Sequence, residues 1–176
     1  MAALMLLVLP LQWLAAILLA AVIHESCHLL CLRLCNVPVF HIHVGLQGAA
    51  IETAPLPPAS EILCAAAGPA GSLLCLIFMR SFPMLALCGF LQGIYNLLPV
   101  YPLDGGRILH SLAVLLAPAH AEKICSFVLY CTAFSITLLG LWLYWKTLEP
   151  VFLLFTAYFL PCIALCRKTP CKESRY

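Results

Sequence analysis

His24, Glu25 and His28 form an H-E-x-x-H motif within a long apolar run. On a helix, residues four apart share a face, so both imidazoles can point at one ion. Glu25 directly follows the first histidine. It is placed as a general base that takes a proton from a water activated by that ion. Short motifs of this kind recur by chance. Here, however, three ionisable residues fall inside an apolar segment, where such groups are expensive and usually functional. The competing reading is two helix-end histidines snorkelling to the interface beside an incidental glutamate.

A catalytic zinc site takes three protein ligands and keeps one position for water. The strongest candidate for the third ligand is Asp104, in the segment Asn96-Leu97-Leu98-Pro99-Val100-Tyr101-Pro102-Leu103-Asp104-Gly105-Gly106-Arg107. Two prolines three residues apart break a helix, and two glycines follow the carboxylate. Broken helices at membrane depth persist only where they are buried in protein or line a water-filled cavity. The alternative is an interfacial loop in which Asp104 caps the next helix. Cys31 shares the helical face of His24 and His28 and competes as third ligand, although its reach from the next turn is strained. His41 and His43 alternate on a predicted strand and so share a face. They read as accessory ligands, as a plug over the metal, or as solvated strand residues. His110 reads as packing or interfacial. Zinc, rather than another divalent ion, follows from the ligand types.

The elements that must position these residues are set by composition. Of 176 residues, 64% are hydrophobic and 9% charged, against about 25% charged in a soluble domain. An ordinary soluble domain and a disordered chain are both excluded, and a net charge of +2 gives no case for nucleic acid. The natural solvent is a bilayer. The eleven cysteines lie mostly inside apolar runs, where a thiol behaves as a small apolar group, so free thiols are expected. The first run lacks the positive start and cleavage site of a signal peptide.

Five apolar runs predict about five spans: residues 2–34 (one tilted helix, or one bent at Pro10), 61–79, 83–101, 122–145 and 151–165. A helix resumes after Asp104 and runs to Leu116. Between the first two runs, residues 36–58 read as a short β segment with two strands, Val37 to Gly45 and Ala50 to Thr53. Trp142, Tyr144 and Trp145 read as an aromatic belt. The expectation is one membrane-embedded domain over residues 1–166 and a short basic tail over 167–176. With five spans, Arg33, Arg107, Lys123, Arg167, Lys168, Lys172 and Arg175 share the side of the C-terminus, and Arg80 and Lys146 lie opposite. That asymmetry places the C-terminus in the cytoplasm.

The two motifs together resemble the site-2 family of intramembrane metalloproteases, whose members pair H-E-x-x-H with N-x-x-P-x-x-P-L-D-G on a later span. The second motif, Asn96 to Gly105, is the more specific. Ala67-Gly68-Pro69 and the glycine-bearing strand segment also match, and the likeness covers residues 14–116. Within the family it is nearest to the protease that processes a sporulation sigma-factor precursor. The resemblance implies zinc held by His24, His28 and Asp104, Glu25 as catalytic base, and Asn96 as a group that binds substrate or stabilises the oxyanion. It also implies strand edges at residues 45–53 on which a substrate pairs. The implied fold is an all-α multi-pass membrane protein of a bacterial plasma membrane. The implied partners are a membrane-embedded or membrane-adjacent protein substrate, the lipid bilayer and a regulatory membrane protein. The chain departs from the sporulation protease in lacking an extra span before the H-E-x-x-H and a nucleotide-sensing domain after the core. It also has Gly71-Ser72 where many relatives carry an asparagine. The alternatives are a catalytically inactive substrate-binding protein of the same fold, or a metal transporter using the same ligands. The histidine, glutamate and aspartate set is complete, against the first alternative, and no repeated halves are visible, against the second.

Overall fold

The computed structural model describes residues 10–45 and 48–148, with the backbone alone between 42 and 52. The chain is mostly helical. Helix α1 spans Leu11–Leu34 and follows Pro10, which has extended backbone angles. It ends where Asn36 adopts a left-handed φ of 54°, a conformation that asparagine tolerates better than most residues. The Val37 N–H then reaches back to the Leu32 carbonyl at 3.0 Å, satisfying one of the orphaned groups of the last turn. Strands β1 (Val39–Gly45) and β2 (Gly48–Thr53) pair antiparallel, with Gly45 opposite Gly48 and an irregularity between Val39 and His41.

Helix α2 spans Pro58–Leu74, begins on a proline in its first turn, and continues as a 3-10 turn over Cys75–Phe78. A proline suits a first turn because its missing N–H would lack a partner there anyway. Helix α3 spans Pro83–Asn96, α4 spans Asp104–Leu116, and after a 3-10 turn at Pro118–His120, α5 spans Ala121–Thr147. Helix α2 is central, packed by α1, α3 and α4. Many of the buried residues of these helices are small: Ala16 and Ala20 on α1, Ala65, Gly68, Gly71 and Ser72 on α2, and Ala86, Gly89 and Gly93 on α3. Small residues let backbones approach closely where lipid removes the usual hydrophobic drive between helices.

Among the described residues three helices are long and apolar enough to cross a membrane: Leu11–Leu34, Pro58–Phe78 and Pro118–Thr147. The expected span over 83–101 is shorter than anticipated. Helix α3 has 14 residues, about 21 Å at 1.5 Å per residue, against about 30 Å of hydrocarbon. The physical reason lies in Pro99 and Pro102. A residue before proline is driven out of the helical region, so the helix stops at Asn96 while the apolar character runs on. The expected fifth span, 151–165, and the basic tail lie outside the described residues.

Candidate metal centre

His24 and His28 are both buried on the inner face of α1. Each has its Nδ1 committed to α2. His28 Nδ1 lies 2.7 Å from the Cys64 carbonyl oxygen. A carbonyl only accepts, so Nδ1–H donates, and the neutral ring leaves a lone pair on Nε2. His24 Nδ1 lies 2.9 Å from Ser72 Oγ. Both rings therefore turn Nε2 toward the same point, 3.2 Å apart.

Asp104 arrives at that point from another part of the chain. Residues 97–103 fold back after α3, with the Leu103 N–H on the Val100 carbonyl at 2.9 Å and the Gly106 N–H on the Leu103 carbonyl at 3.0 Å. The first turn of α4 lies directly on this loop. A Cβ at Gly105 would collide with the Leu97 backbone, and one at Gly106 with the backbone of Val100 and Tyr101. Two glycines are thus what lets the carboxylate be drawn inward and buried. Asp104 is the first residue of α4, and Leu103 occupies the cap position without a side-chain hydrogen bond. The capping alternative for Asp104 does not describe it: its Oδ2 lies 3.1 Å from His24 Nε2 and 3.2 Å from His28 Nε2.

The three atoms form a nearly equilateral triangle with edges of 3.1, 3.2 and 3.2 Å. Tetrahedral ligands about 2.0–2.1 Å from zinc stand about 3.3 Å from one another. The chemistry of the donor set agrees with the spacing. A neutral His28 ring brings only a lone pair, and a carboxylate oxygen brings another. Convergence of such groups in a buried site is unfavourable until a cation or a proton lies between them. The residues present fit a zinc ion.

The remaining expected residues are not part of this triangle. Glu25 is half-buried on α1 next to His24, and Asn96 is half-buried at the last residue of α3. Cys31 does not join the three groups. Instead its Sγ lies 3.5 Å from Cys64 Sγ. His41 is exposed on β1, His110 is half-buried on α4, and the His43 side chain lies outside the described residues. Among the described cysteines all are free thiols.

Several residues contribute in roles the sequence left open or did not show. Ser72 and the Cys64 carbonyl orient the two rings, and such partners fix tautomer and direction at metal sites. Gly68, read from sequence as a packing residue, has a second role. A Cβ there would fall on the His28 imidazole and 2.8 Å from His24 Nε2, so the space it leaves is occupied by the metal-facing ring atoms. On the far side of Asp104, Arg107 Nη1 lies 3.8 Å from Oδ1, and Arg107 Nε lies 3.7 Å from Glu61 Oε1. The Ser111 hydroxyl donates to Glu61 Oε2 at 3.0 Å. This chain of groups ties the carboxylate to α2. Its signal in the sequence was a glutamate at the start of one apolar run and an arginine three residues past Asp104, too sparse to pair without the fold.

Comparison with known proteins places this geometry in context. Residues 58–136 match the sequence profile of peptidase family M50. The match begins at α2, includes Asp104 and leaves out the histidine helix. No curated protein sequence matches the chain significantly. Among solved structures, the site-2 protease from Methanocaldococcus jannaschii superposes with a TM-score of 0.60 at 21% identity, covering 92% of this chain and 77% of that one. At that identity the likeness is one of fold. Neither comparison supports the narrower likeness to a sporulation protease. The profile match ties residues 58–136 to peptidase family M50, and over nearly all of its length the chain shares the fold of a site-2 protease.

Proposed function

We propose that the protein is a zinc-dependent intramembrane endopeptidase that hydrolyses a peptide bond in or beside the membrane-spanning part of a protein substrate. The observation that carries this reading is the buried triangle of His24 Nε2, His28 Nε2 and Asp104 Oδ2, with Glu25 one residue from the first ligand. The family match and the fold likeness support it.

His24, His28 and Asp104 would hold zinc, which supplies a Lewis acid that acidifies water and polarises the scissile carbonyl. Ser72 and the Cys64 carbonyl hold the imidazoles in the required direction. Arg107 holds the second oxygen of Asp104, leaving the first for the metal. Glu25 accepts the proton of the attacking water and delivers it to the leaving amine, as a general base and then a general acid. Asn96, with its amide N–H, binds the substrate near the scissile bond. A transmembrane helix hides its backbone in its own hydrogen bonds, so the substrate must unwind to be cut. The β1–β2 hairpin offers edges on which an unwound segment can pair. The protein works in a cell membrane, with the C-terminus on the cytoplasmic side, as the excess of Lys and Arg there supports.

The test uses purified chain in detergent micelles and a library of single-span peptides read by mass spectrometry. Wild type is expected to cut a subset. Glu25→Gln is expected to lose at least 100-fold in rate, in line with the usual value of general base catalysis, while retaining its metal. Cleavage by Glu25→Gln at the wild-type rate would overturn the mechanism.

A further inference from the structure

We propose that Cys31, Cys35 and Cys64 form a second metal site, an all-thiolate centre for a thiophilic ion such as Zn2+ or Cu+, beside the His24–His28–Asp104 triangle. The proposal does not depend on the proteolytic reading.

Three thiols from two helices converge here. Cys31 in the last turn of α1 and Cys35 at its C-cap stand one turn apart and so share a face, and Cys64 comes across from α2. Their sulfur atoms all lie within 4.8 Å of one another, with Cys31 and Cys64 at 3.5 Å. Ligands at a Zn–S distance of about 2.3 Å stand about 3.8–4.0 Å apart in tetrahedral or trigonal arrangement. The thiols are therefore close to a ligating arrangement before any ion is added. Thiolate ligands select Cu(I) and zinc over the hard cations.

Burial is graded in a way that suits entry. Cys64 is buried, whereas Cys31 and Cys35 are half-buried, and Cys35 closes the helix just before the left-handed turn at Asn36. An ion can approach from the helix end and be held against α2. The stoichiometry is simple: three thiols bind one ion and release up to three protons. No oxidant is needed. The sulfur–sulfur distance is also well beyond that of a disulfide, about 2.0 Å, and a third thiol has no place in a two-sulfur bond.

The site also touches the first one. The Cys64 carbonyl accepts a hydrogen bond from His28 Nδ1–H, while the thiol of the same residue faces Cys31. An ion at the three sulfurs would pin α1 to α2 next to a ligand of the triangle.

The test uses the full chain, purified with reductant in detergent micelles, stripped by chelator and titrated with Cd2+ as a spectroscopic probe, then with Zn2+ and Cu+ in separate arms. Cd2+ held by thiolates gives a near-ultraviolet charge-transfer band. In the His24→Asn chain, where the triangle no longer competes for the ion, the expected result is a band that saturates at one Cd2+ per chain and is accompanied by proton release. Cys31→Ser, Cys35→Ser and Cys64→Ser should each weaken the site at least tenfold while helical content stays unchanged. A chain with Cys162, Cys166 and Cys171 all replaced by serine, and a His24→Asn chain, should both keep the band. Competition by Zn2+ or by Cu+ identifies the natural ion. An undiminished band in folded Cys64→Ser overturns the proposal. So does its loss in the variant lacking Cys162, Cys166 and Cys171, or recovery of a Cys31–Cys64 disulfide that excludes Cd2+.

Discussion

Each imidazole of the triangle is aimed by a partner on α2, Ser72 for His24 and the Cys64 carbonyl for His28. Removing the hydroxyl leaves His24 free to change tautomer or rotate. Ser72→Ala is therefore expected to weaken zinc affinity about 10–100-fold, the usual effect of losing such a partner, with helical content unchanged by circular dichroism. Gly68→Ala addresses the same rings sterically. Its methyl group would occupy the volume of the His28 ring, and overpacking of this kind costs about 1–3 kcal/mol. The expected outcome is loss of bound metal measured by elemental analysis, with the chain still inserted in membranes; normal metal content would show that the rings can shift without consequence. The pair His24 and His28 was legible in the sequence because four-residue spacing on a helix is a local property. The position of Ser72 stood out, but its role and that of the Cys64 carbonyl were not legible, because they are brought to the rings only by the packing of α2 on α1, from 48 and 36 residues away.

The segment between α3 and α4 shows how an element can be half legible. Pro99, Pro102, Gly105 and Gly106 announced a break, and the break is there. The length of the preceding helix was misjudged because apolar residues continue past Asn96, and hydropathy does not register where backbone hydrogen bonding stops. The contact of the 97–103 loop with the first turn of α4 depends on Gly105. Gly105→Val would push α4 away and withdraw Asp104 from the histidines. Bound zinc is expected to fall to the level of Asp104→Ala, and retention of wild-type zinc would show that the loop does not set the carboxylate position. The hairpin permits a second element-scale test. If a substrate pairs along β1, Val44→Pro removes a backbone donor and should reduce cleavage at least tenfold with metal content intact. Equal rates at equal expression would leave the hairpin as a tether between helices.

Across the whole molecule, the composition that excluded a soluble domain corresponds to helices whose large apolar residues point outward: Leu18 and Val22 on α1, Ile77 and Phe78 after α2, Phe127, Phe134 and Trp145 on α5. Among the described residues most of the buried ones are small or belong to the site, with Leu32, Pro69 and Val100 as larger exceptions. Such an inside-out distribution fits a lipid solvent, and it holds the ionisable groups at the shared face of α1, α2 and α4. On the proposed reading this shared face would hold zinc on two imidazoles and one carboxylate. X-ray absorption at the zinc edge tests it most directly, on full-length chain carrying Cys31→Ser, Cys35→Ser and Cys64→Ser so that sulfur ligands cannot contribute. One zinc is expected, with nitrogen and oxygen neighbours at about 2.0–2.1 Å and the imidazole scattering of two histidines, abolished by His24→Asn. A sulfur neighbour at about 2.3 Å, or no zinc retained by the folded protein, would contradict it.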